Sequence, residues 1–387
     1  MPRTFWKSGV LAAAVALLSA PLATPLSAAD TVKIGFSAPL TGFAAADGKS
    51  ALTGAELAVE QANADGGIDG MQVELVVYDD QASPKEAVPI ANKLIEKDQV
   101  KISISGSYSG ATRAAAGVFQ AASVPYISAY AVHPDITRAG EFVFRTSFVG
   151  EVQGRAGAKL IGESLGKKKV TLITLKNDFG KSLANGFKEA APQFGIEVLG
   201  EYEYSIKDRQ FGPIVSKVKD EGPEAIYASG YFFTAGPLVS QLRAAGVEVP
   251  IIGQEGYDSE KFIEIAGAAS EGTIITTSLD RDSDAPETKS FLRAFEKKAG
   301  YKADMVAASG HTAVKVAVAA LRKAGTDDAA AIRAAISETE LEASTGKISF
   351  NGLGEVRKDV QVQTVRDGAW HRHSVISDPD LLAPPEE

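Results

Sequence analysis

VKIGFSAPLTGFAAADGKSALTGAELAVEQANADGGIDGMQVELVVY, residues 32–78, holds a strand, a helix and a second strand in one run. Residues 32–36 form a short β-rich segment, and a Gly/Ala loop follows. Leu52, Ala55, Val59 and Ala62 are then spaced three and four apart, which marks one face of a helix. Gly66-Gly67 stops it, and residues 73–78 read as the next strand. This order predicts a parallel strand pair with the helix laid across it.

The alternation continues in both directions from that reading. Ser83-Pro84-Lys85-Glu86 reads as a capping box with proline at the first helical position. Ala87, Ile90, Ala91, Leu94 and Ile95 line one face of the helix it opens, and Pro89 is expected on the solvent side. Strand patterns at 101–105 and 125–128 flank a helix from about Ala111. A second series has strands at 170–175, 196–204, 225–230, 251–253 and 272–276. Helices are expected between them from about Phe179 and Phe211, at 238–245 and near Phe262. Each series predicts a mostly parallel sheet covered by helices on both faces and wound in the right-handed sense. After Asp280 helical patterns dominate, at 286–299, 304–324 and 328–337. Strand patterns return at 347–350 and 361–365, followed by a hairpin turn at Arg366-Asp367-Gly368-Ala369. Residues 381–387, LLAPPEE, read as a loose tail.

The first residues bound the compartment. Arg3 and Lys7 precede an Ala/Leu-rich run, and Ser27-Ala28-Ala29 supplies small residues before Asp30, the layout of a secretory signal peptide over 1–29. Pro21 and Pro25 interrupt the run, so it is too short for a membrane span of about 20 residues. The formal net charge of the chain is -9, and removing the leader makes it more negative by two. That balance argues against nucleic acid and anionic membranes as partners. Cysteine is absent, so there is neither a disulfide framework nor a lipid-bearing cysteine behind the leader. The expectation is a freely diffusing, monomeric periplasmic protein of two domains, with no membrane insertion and no cofactor.

Several tempting motifs fail on spacing. Gly48-Lys49-Ser50 sits where a phosphate-binding loop would, but that motif requires glycine at Phe43, and Gly42 is one residue too early. In Gly106-Ser107-Tyr108-Ser109-Gly110 the nucleophile position is Tyr108 rather than serine. His133, His311, His371 and His373 have no zinc-ligand spacing, and no metal site or catalytic group is assigned. Two strand-to-helix loops carry a positive signal. Residues 107–112, SYSGAT, place small residues and hydroxyls where a helix N-terminus favours an anion, although an ordinary capped turn has the same look. Residues 128–132 offer further backbone groups beside Tyr130.

VKIGFSAPLTG (32–42), GAELAVEQANADGGIDG (54–70), VYDDQASPKEAVPIANKLI (77–95), PDITRAG (134–140), KNDFGKSLANGF (176–187) and GQEGYDS (253–259) together resemble the leucine/isoleucine/valine-binding protein family, the type I periplasmic solute-binding proteins of branched-chain amino acid-type ABC transporters. The resemblance covers essentially all of the chain after the leader. It implies two doubly wound α/β lobes joined by a three-crossing hinge, with crossings near Phe148, Leu279 and Gly352. Lobe one would be 30–148 with 279–352, and lobe two 149–278 with 353–387. It also implies a receptor that binds an amino acid or other small carboxylate and delivers it to an inner-membrane ABC permease. A periplasmic sensor of the same fold for an aromatic acid, amide or polar amino acid is the alternative, and a periplasmic hydrolase is disfavoured. The family's carboxylate-binding turn matches Ser109, Gly110, Ala111 and Thr112, preceded by Tyr108. Its second loop matches Ala131 and Val132, beside Tyr130. The aromatic residues that close from lobe two match Phe179 and Phe232, with Tyr231 adjacent. The acid that receives a ligand ammonium matches Glu255. Gly110 and Val132 stand where leucine-type binders have hydroxyl residues, and Asp47 stands where many relatives have Trp or Tyr. Whether Asp47 faces the cleft or the solvent is open at this level.

Overall fold

The structure, a computed structural model, describes residues 1–5 and 31–386, so the leader read over 1–29 lies mostly outside the described residues. The strands of the first sheet are β1 (Thr31–Ala38), β2 (Gln72–Asp79), β3 (Ile102–Ser105), β4 (Tyr126–Ser128) and β5 (Val143–Arg145). They lie in the order β2-β1-β3-β4-β5 and are all parallel. The helices α1 (Ala45–Ala64), α2 (Pro84–Asn92) and α3 (Ser109–Ala121) connect them. After β5 comes α4 (Gly150–Lys159), and then β6 (Lys169–Leu175), α5 (Asp178–Ala190), β7 (Glu197–Tyr204), α6 (Gly212–Glu221), β8 (Ala225–Ala228), α7 (Phe232–Ala244), β9 (Ile251–Gln254), α8 (Glu260–Ala266) and β10 (Ile274–Thr277).

The chain next forms α9 (Pro286–Ala299), α10 (Met305–Ala324), α11 (Ala329–Ser337) and the small hairpin β11 (Leu341–Ala343) and β12 (Gly346–Ile348). It finishes with the antiparallel pair β13 (Val360–Arg366) and β14 (Ala369–Ile376), which complete a second sheet ordered β14-β13-β10-β9-β8-β6-β7. The chain therefore passes between the first-sheet side and the second-sheet side three times: after β5, after β10 to helices packed against α1, and back after β12. Every residue of β3, β4, β5, β8, β9 and β10 is buried, because helices cover both faces of the parallel strands.

The sequence reading departs from the structure in three ways. Ser83 occupies the N-cap of α2 with Pro84 behind it, but its hydroxyl makes no cap hydrogen bond. The Ser83 N–H already donates to the Asp80 carbonyl at 2.8 Å, so the reciprocal half of a capping box has nothing to bond. Helix α4 and strands β5, β11 and β14 had no separate reading: β5 and β11 are three residues long, and β14 alternates only weakly (AWHRHSVI). The tail is docked rather than loose. Leu381 and Leu382 are buried, Arg155 donates to the Leu381 carbonyl at 2.8 Å, and Asn351 donates to the Pro385 carbonyl at 2.7 Å. Pro89 is exposed as expected, and α2 passes into a wide turn over Lys93–Lys97.

Two contacts place the cleft elements. Arg145, at the end of β5, is fully buried and pairs with Glu355 on the third passage, Nε to Oε2 at 3.0 Å. Its remaining donors reach the carbonyls of Ala131 at 2.8 Å and His133 at 2.7 Å, so the loop after β4 is tied to the third passage. Helices α1 and α10 cross through glycine. A Cβ on Gly54 would fall within the Ala307 carbonyl oxygen, and one on Gly310 would strike the Ala51 carbonyl. That approach sets where the first turns of both helices project. Gly54→Ala should force the helices apart and cost about 1–3 kcal/mol, read by urea unfolding followed by circular dichroism. A variant as stable as wild type would contradict this packing.

Candidate functional site

The two sheets share an internal strand order. In β2-β1-β3-β4-β5 the order reverses between β1 and β3, and in β7-β6-β8-β9-β10 it reverses between β6 and β8. Loops leaving the strands diverge at such points and open a crevice at the carboxyl edge of the sheet. Asp47 follows β1, Tyr108 and Ser109 follow β3, Phe179 follows β6 and Tyr231 follows β8. These residues meet in one inner cavity, together with Tyr130, Ala131, Glu255, Gly256, Met305 and Val306. The space between its wall atoms is about 310 Å³.

Aromatic rings close the cavity mouth. Tyr108 from the first-sheet side stacks on Tyr231 from the second at 4.1 Å, with their planes 3° apart. Phe179 lies on Tyr231 at 4.9 Å. Outside them is a wider, solvent-open cleft that includes Phe43, Pro84, Gly110, Arg113, Asn177 and Asp178. Across this outer cleft Phe43 meets Phe233 edge-on at 5.6 Å, and Arg113 pairs with Asp178 at 2.8 Å.

Of the helices that begin at the cleft, α5 and α10 are capped by side chains, whereas α1, α3 and α7 are not. Asn177 accepts from Gly180 N–H at 2.8 Å on α5 and Asp304 accepts from Ala307 N–H at 2.9 Å on α10, while before α7 the Thr234 hydroxyl accepts only from the N–H of the preceding Tyr231, at 3.1 Å. The first turn of α3 has no side-chain cap. The Ser109 hydroxyl instead accepts from Val132 N–H at 3.2 Å, which joins the loops after β3 and β4. The first N–H groups of α3 thus keep their capacity to bind an anion.

Two carboxylates face the cavity from opposite sides. Asp47, on the first turn of α1, accepts a 2.6 Å hydrogen bond from the Tyr108 hydroxyl. Burial pushes its carboxyl up to about 7 against the pull of that bond, and the negative charges of Asp304 and Asp258 add to the rise. Glu255, on the turn after β9, accepts from the Ser147 hydroxyl at 3.3 Å through Oε2, while its Oε1 has no aligned donor. Burial pushes Glu255 up to about 8, although Gln153, Ser147 and Lys358 each favour its charged form. The Lys358 ammonium, buried 5.3 Å from the centre of the Phe148 ring, is itself pushed down to about 7 by burial. Asp258 reaches across from the second-sheet side. It accepts from Thr277 at 2.6 Å, from Met305 N–H at 3.3 Å and from Arg281.

Of the residues singled out from sequence, Asp47, Tyr108, Ser109, Tyr130, Ala131, Phe179, Tyr231 and Glu255 line the inner cavity, and Gly110 lines the outer cleft. The other four lie behind the wall. Ala111 packs into the core beside β4, and the Thr112 hydroxyl is spent on Ser105 at 2.7 Å and on the Tyr108 carbonyl at 3.1 Å. The Val132 and Phe232 side chains join the main core. Reading strand ends missed Met305 and Val306, which arrive on a helix that no strand precedes. It also missed Gly256 and the supporting Asp258, Asp304 and Lys358. The local signal for the α10 group was Asp304, an N-cap before a long helical pattern.

In the unfolded chain Asp47 ionises near 3.8, and in the fold near 7. Between those values the native state keeps a proton that the unfolded state has lost, so raising the pH through this window lowers stability. Asp47→Asn has no carboxyl to ionise. Its melting temperature relative to wild type should rise by a few degrees from pH 4 to pH 7 and level off above, as read by parallel thermal melts. A difference that is constant with pH would contradict the burial of this charge.

A family model described as periplasmic binding protein matches residues 31–369. A leucine-, isoleucine-, valine-, threonine- and alanine-binding protein of Pseudomonas aeruginosa is 32% identical, covering 88% of this chain and 91% of that protein. The crystal structure of a leucine-binding protein of Thermotoga maritima superposes with a TM-score of 0.85 at 28% identity, covering 90% of this chain and 99% of that one. A branched-chain amino acid transporter substrate-binding protein of Streptococcus pneumoniae, solved with isoleucine, superposes at 0.84 with 28% identity and the same coverage. No described helix is long and apolar enough to cross a membrane. The cleft between two switch points and the match over nearly all of the described chain lead to one conclusion: this chain belongs to the periplasmic binding protein family.

Proposed function

We propose that this protein is the substrate-binding component of an ABC transporter, exported behind the leader at 1–29, that closes in the periplasm on a small amino acid. The observation that carries this reading is the pairing of opposite needs in one cavity. The uncapped first turn of α3 attracts a carboxylate. Glu255, buried on the opposite side with Oε1 unpaired, calls for a donor or an ammonium. An α-amino acid carries both groups on one carbon.

In this reading lobe one is 30–148 with 279–352, lobe two is 149–278 with 353–387, and the passages near Phe148, Leu279 and Gly352 form the hinge. A ligand shifts the open–closed equilibrium because it touches both lobes only when they are shut. To admit it, Tyr108 and Tyr231 separate, and they then close over it as walls. The closed surface is what an inner-membrane permease would read. The receptor performs no chemistry on the solute and releases it unchanged. Relatives named for leucine, isoleucine, valine and threonine binding support the amino-acid class.

The test is titration calorimetry and thermal melting of protein stripped of solute by unfolding and refolding, against the common amino acids. At least one should bind one-to-one, raise the melting temperature and be recovered with its mass unchanged. Glu255→Gln should weaken that binding roughly 10- to 100-fold, the usual loss for a hydrogen bond to a charged group. A full panel that leaves the melt unmoved would contradict the proposal.

A further inference from the structure

The part of the cavity beside Asp47 is not built for an aliphatic group. Asp47 is 6% exposed, and its carboxylate receives one side-chain hydrogen bond, from the Tyr108 hydroxyl at 2.6 Å. A carboxylate can accept about four. The charged groups near it are themselves acids, Asp304 and Asp258. Arg281, the cation that acts on Asp304, is engaged by Asp258. Asp304 is held by the Ser50 hydroxyl at 2.7 Å and by the first turn of α10, so it has no donor to lend. An aliphatic side chain pressed against Asp47 would strip its remaining water and return no hydrogen bond, the situation that makes buried polar groups costly. Tyr130, Met305 and Val306 complete the same wall and supply apolar contact for the stem of a side chain.

Resting on the receptor reading above, we infer that Asp47 is a specificity-determining residue that selects amino acids whose side chain ends in an N–H or O–H donor and rejects aliphatic ones. The carboxylate and ammonium of the ligand are recognised at α3 and Glu255, as they would be for any amino acid. Discrimination then falls to Asp47, because a site built to hydrogen-bond a donor is left unpaired by an analogue lacking it. The hydroxyl of Tyr108 fixes one Asp47 oxygen and leaves the other for the ligand.

Leucine, threonine, glutamine and ornithine distinguish the possibilities when titrated into stripped wild-type protein, Asp47→Asn and Asp47→Leu. Wild type should bind at least one of the three donor-bearing amino acids ten-fold or more tightly than leucine. Asp47→Leu should lose that preference or invert it. Asp47→Asn, the milder change, should keep threonine or glutamine while weakening ornithine ten-fold or more. Leucine as the tightest wild-type ligand, or a ranking unchanged in both variants, would overturn the role of Asp47 and leave the amino-acid receptor standing. Failure of wild type to bind any of the common amino acids would overturn both. Should Asp47→Leu fail to fold by circular dichroism, the wild-type ranking and Asp47→Asn still decide the question.

Discussion

A carboxylate removed from water is destabilised by several kcal/mol unless nearby donors replace the water it lost. This protein holds two such groups on opposite walls of one small cavity, Asp47 beside β1 and Glu255 beyond β9. Among the described residues neither has a direct ion pair. Asp47 has a tyrosine hydroxyl and Glu255 a long bond from Ser147, with Lys358 acting on it without a hydrogen bond. Such groups weaken the closed arrangement when it stands alone and strengthen it when a ligand supplies the missing donors. The cost of burial thereby becomes the driving force for recognition.

The rest of the fold keeps those groups where they are. Matching strand orders in the two sheets set two crevices face to face. Glycine contacts lock α1 against α10, so Asp47, Met305 and Val306 hold fixed positions relative to one another. Arg145 and Glu355 bind the third passage to the loop that carries Ala131. Asp258 ties the second-sheet side to the first turn of α10 through Met305 N–H. Around the rim, Tyr108 on Tyr231 and Arg113 with Asp178 span the cleft through weaker contacts. Rigid walls joined by a more easily parted rim suit a cleft that opens and shuts.

The parts legible in the sequence were those written in local periodicity. The repeated strand–helix alternation predicted both sheets, because buried parallel strands and helices with one apolar face leave distinct spacings. Tyr108 and Ser109 stood out in a strand-to-helix loop, Asp47 and Glu255 were matched only through the family resemblance, and the four line one cavity. What was illegible depends on contacts distant in sequence. The hydroxyl of Thr112 follows a serine in the same loop and looks like a ligand group, but it turns back to Ser105. Whether Asp47 faced inward was decided by the α1–α10 crossing, some 250 residues apart in the chain. Met305 and Val306 arrive by that same crossing. The docked tail depends on Arg155 and Asn351, which no local pattern links to Leu381 or Pro385.

The central claim is that the cavity joins a carboxylate-binding helix end to carboxylates that demand donors, and so holds a small zwitterion. Native mass spectrometry of gently purified protein, followed by identification of the solute released on denaturation, tests it most directly. The account predicts one solute per chain carrying both a carboxylate and an amine. A stoichiometric solute with no amine, such as a simple organic acid or a sugar, would contradict it.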